Sequence, residues 1–199
     1  MKYRVDSPNS TTLVSAFLTS LFASLLFLAL PLQAQESITV DYSYSGNANL
    51  SSIRPSLRIA DFTDSRGVDN PNLVVASGLG NAEGLAAEAP LADIVRDAFV
   101  QAFTAGGVDL VESGEEMIVA GEVTESQVQV VERDGVETIQ LTIRTSIELQ
   151  SRGRTVYDTN LYGRGNAPLD AGLAAAVHAA LDRMVRDLTN DDYFMIELM

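Results

Sequence analysis

The chain has 199 residues with 13 basic and 27 acidic side chains, one His and no Cys, for a formal net charge of −14. Such an acidic surface cannot neutralise phosphates along a nucleic-acid backbone, which needs clustered Lys and Arg. Without Cys there is no disulfide, thiolate metal site, iron–sulfur ligand, Cys nucleophile or cysteine-borne lipid, and a single histidine, His178, precludes a multi-histidine metal centre.

Lys2 and Arg4 precede an apolar stretch from Leu13 to Leu32, which ends in Pro31-Leu32-Gln33-Ala34 before the polar Gln35-Glu36-Ser37. That is the order of a secretory signal peptide over residues 1–34, with cleavage expected after Ala34, although Leu32 is larger than the Ala usual two residues before it. The run nearly spans a bilayer as a helix of about 20 residues, so an uncleaved inner-membrane anchor is the alternative. Thr19, Ser20, Ser24 and Pro31 favour cleavage. Either way the domain is expected outside the cytoplasm. Beyond Ala34 the chain carries 11 Arg, no Lys and 26 carboxylates, a net −15. A domain without Lys has no Schiff-base lysine and no P-loop lysine.

Residues 35–55 read as one short strand (Ile38, Val40, Tyr42, Tyr44) and a Ser/Gly/Asn-rich linker, and residues 56–199 as a single domain. Leu57, Ile59 and Phe62 form a strand that breaks at Asp61-Phe62-Thr63-Asp64-Ser65-Arg66-Gly67. A long loop, 64–89, follows. Pro90 opens a helix whose stripe is Leu91, Ile94, Val95, Ala98, Phe99 and Ala102, and Gly106-Gly107 ends it. Short strands are expected at Val108–Val111 and Met117–Val123. Alternating Val128 and Val130, then Ile139, Leu141, Ile143, Ile147 and Leu149, flank Asp134-Gly135, a hairpin signal because both central turn positions need positive φ. A second turn at Ser151-Arg152-Gly153-Arg154 leads into a strand from Val156 to Tyr162. A last helix from about Leu169 to Leu188 presents Leu173, Val177, Ala180, Leu181, Met184 and Leu188. The predicted fold is α+β in two layers, an antiparallel sheet with two amphipathic helices packed on one face.

Asp61, Asp64, Arg66 and Asp69 form the most suggestive cluster. Paired carboxylates serve acid–base chemistry or bind divalent cations when they converge; the plainer reading is a turn network in which Arg66 pairs with a carboxylate. Gly78-Leu79-Gly80-Asn81-Ala82-Glu83-Gly84 lacks a following Lys-Ser/Thr and reads as a surface loop. No Gly-x-Ser-x-Gly elbow is present. His178 reads as a packed or solvated helix residue. In the tail, Phe194, Ile196 and Leu198 alternate and are expected to fold back onto the body, or else to dock on a partner.

From Ser56 to Leu198 the pattern resembles the YajG-type lipoproteins of the Gram-negative cell envelope. It shares an early strand ending in Asp64-Ser65-Arg66, a long loop, an amphipathic helix closing in Gly before Val108, a strand meander, and a last helix running into Asp191-Asp192. The family usually carries a lipobox cysteine, absent here. The resemblance implies a periplasmic, non-enzymatic protein of poorly defined role on a small α+β fold; no cofactor or metal is expected from the residues. The expected function is therefore an envelope accessory module with protein partners, no nucleic-acid partner, and membrane contact only through a retained leader. The alternative is an acid–base or cation site at Asp61, Asp64 and Asp69.

Overall fold

The computed structural model describes residues 37–53, 55–76, 79, 84–114 and 116–199. The expected leader, and Gly78 and Gly80 of the glycine-rich loop, lie outside the described residues. In chain order come β1 (Ser37–Ile38), β2 (Leu57–Ile59), β3 (Thr63–Asp64), β4 (Leu73–Val75), β5 (Leu85–Ala87), α1 (Leu91–Ala105), β6 (Met117–Arg133), β7 (Val136–Ser151), β8 (Arg154–Pro168), a 3-10 turn (Leu169–Ala171), α2 (Gly172–Thr189) and α3 (Asp192–Glu197). The class is α+β, as the sequence predicts.

The alternating run becomes a three-strand antiparallel meander. Two tight turns fix its register: Asp134 and Gly135 at φ 52° and 78°, and Arg152 and Gly153 at φ 51° and 76°, the paired positive values of a type I′ hairpin. Ile139, Leu141, Ile143, Ile147 and Leu149 of β7 all face the helices and are buried. β6 is one strand where the sequence suggests two runs, because a bulge between Val123 and Glu125 absorbs the break in alternation. β8 likewise continues to Pro168, six residues beyond the expected end.

The sheet is mixed, not purely antiparallel. β2 and β3 lie parallel to β6, with Leu57 opposite Met117 and Thr63 opposite Glu122, since the intervening α1 makes a crossover, and a crossover returns the chain in the same direction. The expected strand at Val108–Val111 reduces to a bridge between Leu110 and Leu57. Within the expected long loop, β4 and β5 join β1 in a separate small sheet of order β1-β5-β4.

Every residue of the predicted stripe of α1 is buried, and so is every residue of the α2 stripe. Helix α1 starts after Pro90 and stops at Gly106-Gly107, the latter at φ 88°. The start of α2 shifts to Gly172 because Leu169–Ala171 winds as a 3-10 turn. The first strand shortens to two residues. Its continuation, 39–53, is an irregular strap that side chains hold against the helices. Both Glu88 carboxylate oxygens accept from the Val40 N–H, and Gln101 on α1 accepts from the Tyr44 N–H and donates to the Tyr42 carbonyl. One Gln amide thus satisfies two backbone groups that a neighbouring strand would otherwise pair.

Candidate functional site

The four candidate polar residues at the end of β3 do not converge. Arg66 reaches back to Asp64 through Nε (2.9 Å to Oδ1) and Nη2 (2.6 Å to Oδ2), and its remaining donors go to the carbonyls of Leu73 and Pro71. The pair is largely enclosed, with 4% and 14% of the two side chains exposed. Burial pushes the Asp64 carboxyl up, but the Arg66 guanidinium and backbone N–H overcome that and hold it below its ordinary value. The result is a latch that closes the 64–73 turn. Asp61 is 96% exposed and lies 3.5 Å from Arg96, whose guanidinium also donates to the carbonyls of Ile59 and Ala60. Asp69 is exposed. Among the described residues no group of three or more Asp, Glu or His side chains is placed to hold a metal ion.

The tail is a helix rather than an extended run. Asp191 caps it by accepting from the N–H groups of Tyr193 and Phe194 at 2.9 and 3.0 Å. Helical spacing then sorts the three predicted residues differently from alternation. Phe194 and Leu198, four apart, are fully buried, while Ile196 is 61% exposed. Phe194 packs edge-on against Phe103 of α1 and tilts against Tyr157 of β8, joining helix layer and sheet.

His178 meets the Tyr42 ring edge-on at 5.6 Å, and Tyr42 donates its hydroxyl to Asp182 at 2.8 Å. Burial, then this carboxylate, drives the Tyr42 hydroxyl far above its ordinary value. The trio pins the strap to α2.

The remaining feature is the border of the large sheet, ordered β2-β6-β7-β8 with β3 also on β6. β6 is covered on its outer side by β2 and β3 through Val123, and the Ser126 hydroxyl bonds the Val74 carbonyl just beyond. Among the described residues β8 pairs with β7 alone, so one whole side of a 15-residue strand offers its N–H and C=O groups to no other described strand. A groove of about 330 Å³ runs beside it, lined by Asn160, Leu161, Tyr162 and Arg164 of β8, Arg183 and Asp187 of α2, and Asp191. Arg183 and Asp187 are ion-paired at 2.6 Å.

The expected strand ends at Tyr162, just before Gly163-Arg164-Gly165. Those glycines serve packing. A Cβ on Gly165 would sit 1.8 Å from the Ala176 carbonyl oxygen, and one on Gly163 would sit 2.8 Å from that of Ala180. The signal was the row Leu161, Gly163, Gly165, Ala167, alternating small residues that let a helix settle directly onto a strand.

Neither a family model nor a curated protein sequence matches the chain, so the YajG-type resemblance has no family match behind it. Solved structures do match. A Xanthomonas campestris protein of family-model DUF330 is 17% identical, with a TM-score of 0.59 over 81% of this chain and 95% of that one. A minor lipoprotein of Acinetobacter baumannii is 12% identical, with a TM-score of 0.42 over 69% and 91%. The DUF330 protein establishes a shared fold. Among the described residues no helix is long and apolar enough to cross a membrane.

Proposed function

We propose that this chain is an exported accessory protein of the cell envelope, periplasmic once its leader is removed, that works as a non-catalytic binding module through the β8 border of its sheet. The observation that carries this is the unpaired outer side of β8. Exposed edges invite strand pairing, and proteins ordinarily blunt them with Lys, Pro, bulges or covering elements. Here the bulge at Val156 and Pro168 stand at the two ends, and between them Asp158 and Arg164 are the charged side chains on the strand. The leader pattern in the sequence supports export. The cation or acid–base alternative draws no support from geometry, because Asp64 is committed to Arg66 and Asp61 points to solvent.

Photo-crosslinkers at Asn160 and at Glu122, on the covered side, test the reading in intact envelopes. A defined protein captured from Asn160 and not from Glu122 is the expected result. Repeated failure of Asn160 to capture anything would overturn it.

A further inference from the structure

We propose that the bare face of the large sheet, turned away from the helices, holds a site for a small carboxylate whose neighbouring groups are hydroxyls or amides. The face is set by alternation. Ile139, Leu141, Ile143, Thr145, Ile147 and Leu149 of β7 are all buried on the helix side, so the residues between them project from the other side. Register then places Gln129, Gln140 and Asn166 in one cross-strand row, and Gln127, Thr142 and Arg164 in the next. A groove of about 420 Å³ lies over these rows, lined by Gln129, Gln140, Leu141, Thr142, Arg164 and Asn166. Small-molecule sites span roughly 300–1,000 Å³, so the groove has room for a ligand of one or two small units.

Charge and hydrogen-bond direction select the ligand. No carboxylate lines the groove, in a domain of 11 Arg and 26 carboxylates. One row further along the face, Glu125 is held by Arg144 at 3.0 Å. Arg164 is exposed and makes no hydrogen bond or ion pair with a described residue, and the side chains of Thr142 and Asn166 make no hydrogen bond with one either. Gln129 donates through Nε2 to Gln140 Oε1 at 3.0 Å, which leaves the Gln140 amide nitrogen to donate. A guanidinium presents paired N–H groups that match the two oxygens of a carboxylate. The amides and the hydroxyl around it both donate and accept, as a sugar hydroxyl or a peptide amide requires. The domain as a whole, at net −15, repels a phosphate dianion more strongly than a carboxylate monoanion. This site uses side chains of the face and not the backbone edge of β8, so it stands or falls apart from edge binding.

Three probes are titrated into the full exported chain and followed by amide NMR shifts. N-acetylmuramic acid carries a carboxylate beside hydroxyl and acetamido groups, acetyl-alanyl-alanine presents one on a peptide, and N-acetylglucosamine has no carboxylate. Saturable binding of one or both carboxylates is expected, with a dissociation constant on the order of 1 mM and shifts centred on Gln140, Thr142 and Arg164; the tighter of the two identifies a sugar or a peptide source. N-acetylglucosamine should bind at least about tenfold more weakly. Arg164→Gln should weaken carboxylate binding at least about tenfold with an unchanged melting temperature, because Arg164 holds nothing in the fold, whereas Arg186→Gln on α2 removes the same charge elsewhere and should leave binding unaltered. No saturation by either carboxylate, equal binding of N-acetylglucosamine, or equal losses in the two variants would each overturn the proposal. Capture from Asn160 in envelopes is independent of all three outcomes.

Discussion

The two borders of the large sheet are finished in different ways. On the β6 side the chain supplies its own cover as far as Val123, with β2 and β3 hydrogen-bonded in parallel and the 64–75 segment latched behind them by Arg66. On the β8 side the cover is above the strand instead of beside it. An edge closed in plane has its backbone groups satisfied; one roofed by a helix leaves them unpaired by any strand.

This contrast can be broken at its strongest point first. Gly165→Val places a side chain where the Ala176 carbonyl already lies, so α2 must lift off β8. A loss of about 4 kcal/mol or more is expected in chemical denaturation, and a variant as stable as the parent would show that the helix is not seated on the strand. Phe194→Ala removes the ring that ties Phe103 to Tyr157 and should cost about 3–5 kcal/mol, whereas Ile196→Ala should stay within about 0.5 kcal/mol. Similar losses at both positions would refute the helical sorting of the tail.

At the covered border, Asp64→Asn leaves the enclosed Arg66 without its carboxylate and should cost about 2–3 kcal/mol near neutral pH. The Asp64 carboxyl lies below its ordinary value of 3.8 when folded. Its contribution is therefore fully present above that value and disappears as pH falls through the lower, folded one. Denaturation curves of parent and variant should converge in acid; a constant gap would remove the latch.

The smallest effect concerns neither border. Tyr42→Phe deletes one hydrogen bond to Asp182, at about 1 kcal/mol. Because the hydroxyl is raised above its ordinary value of 10.0, its stabilisation holds below that pH and is lost as pH climbs above it. Alkaline unfolding should begin later in the variant than in the parent.

Much of this architecture was legible residue by residue. Asp134-Gly135 and Arg152-Gly153 announced both hairpins, because few residues adopt paired positive φ. The stripes of both long helices were readable because each buries a single face. What escaped were features set by distant contacts. Gly163 and Gly165 fall beyond the expected end of their strand until α2 is laid on them, and Tyr42 and Tyr44 look like a strand although Gln101 provides the pairing. Phe194, Ile196 and Leu198 alternate in sequence, yet Asp191 caps a helix that separates them. The Asp61–Asp69 cluster was legible as polar punctuation, but only the fold shows that Arg66 spends Asp64 on the turn.

The crossover carries a consequence for the order of assembly. Leu57 pairs with Met117, sixty positions later, whereas each meander strand pairs with its immediate neighbour across a two-residue turn. Loop closure favours the near contacts, so the meander with α2 should gain protection from hydrogen exchange during refolding before β2 and β3 do. A chain crossing a membrane unfolded would then expose both borders at once, and β2 and β3 would compete for one of them with any other strand at hand.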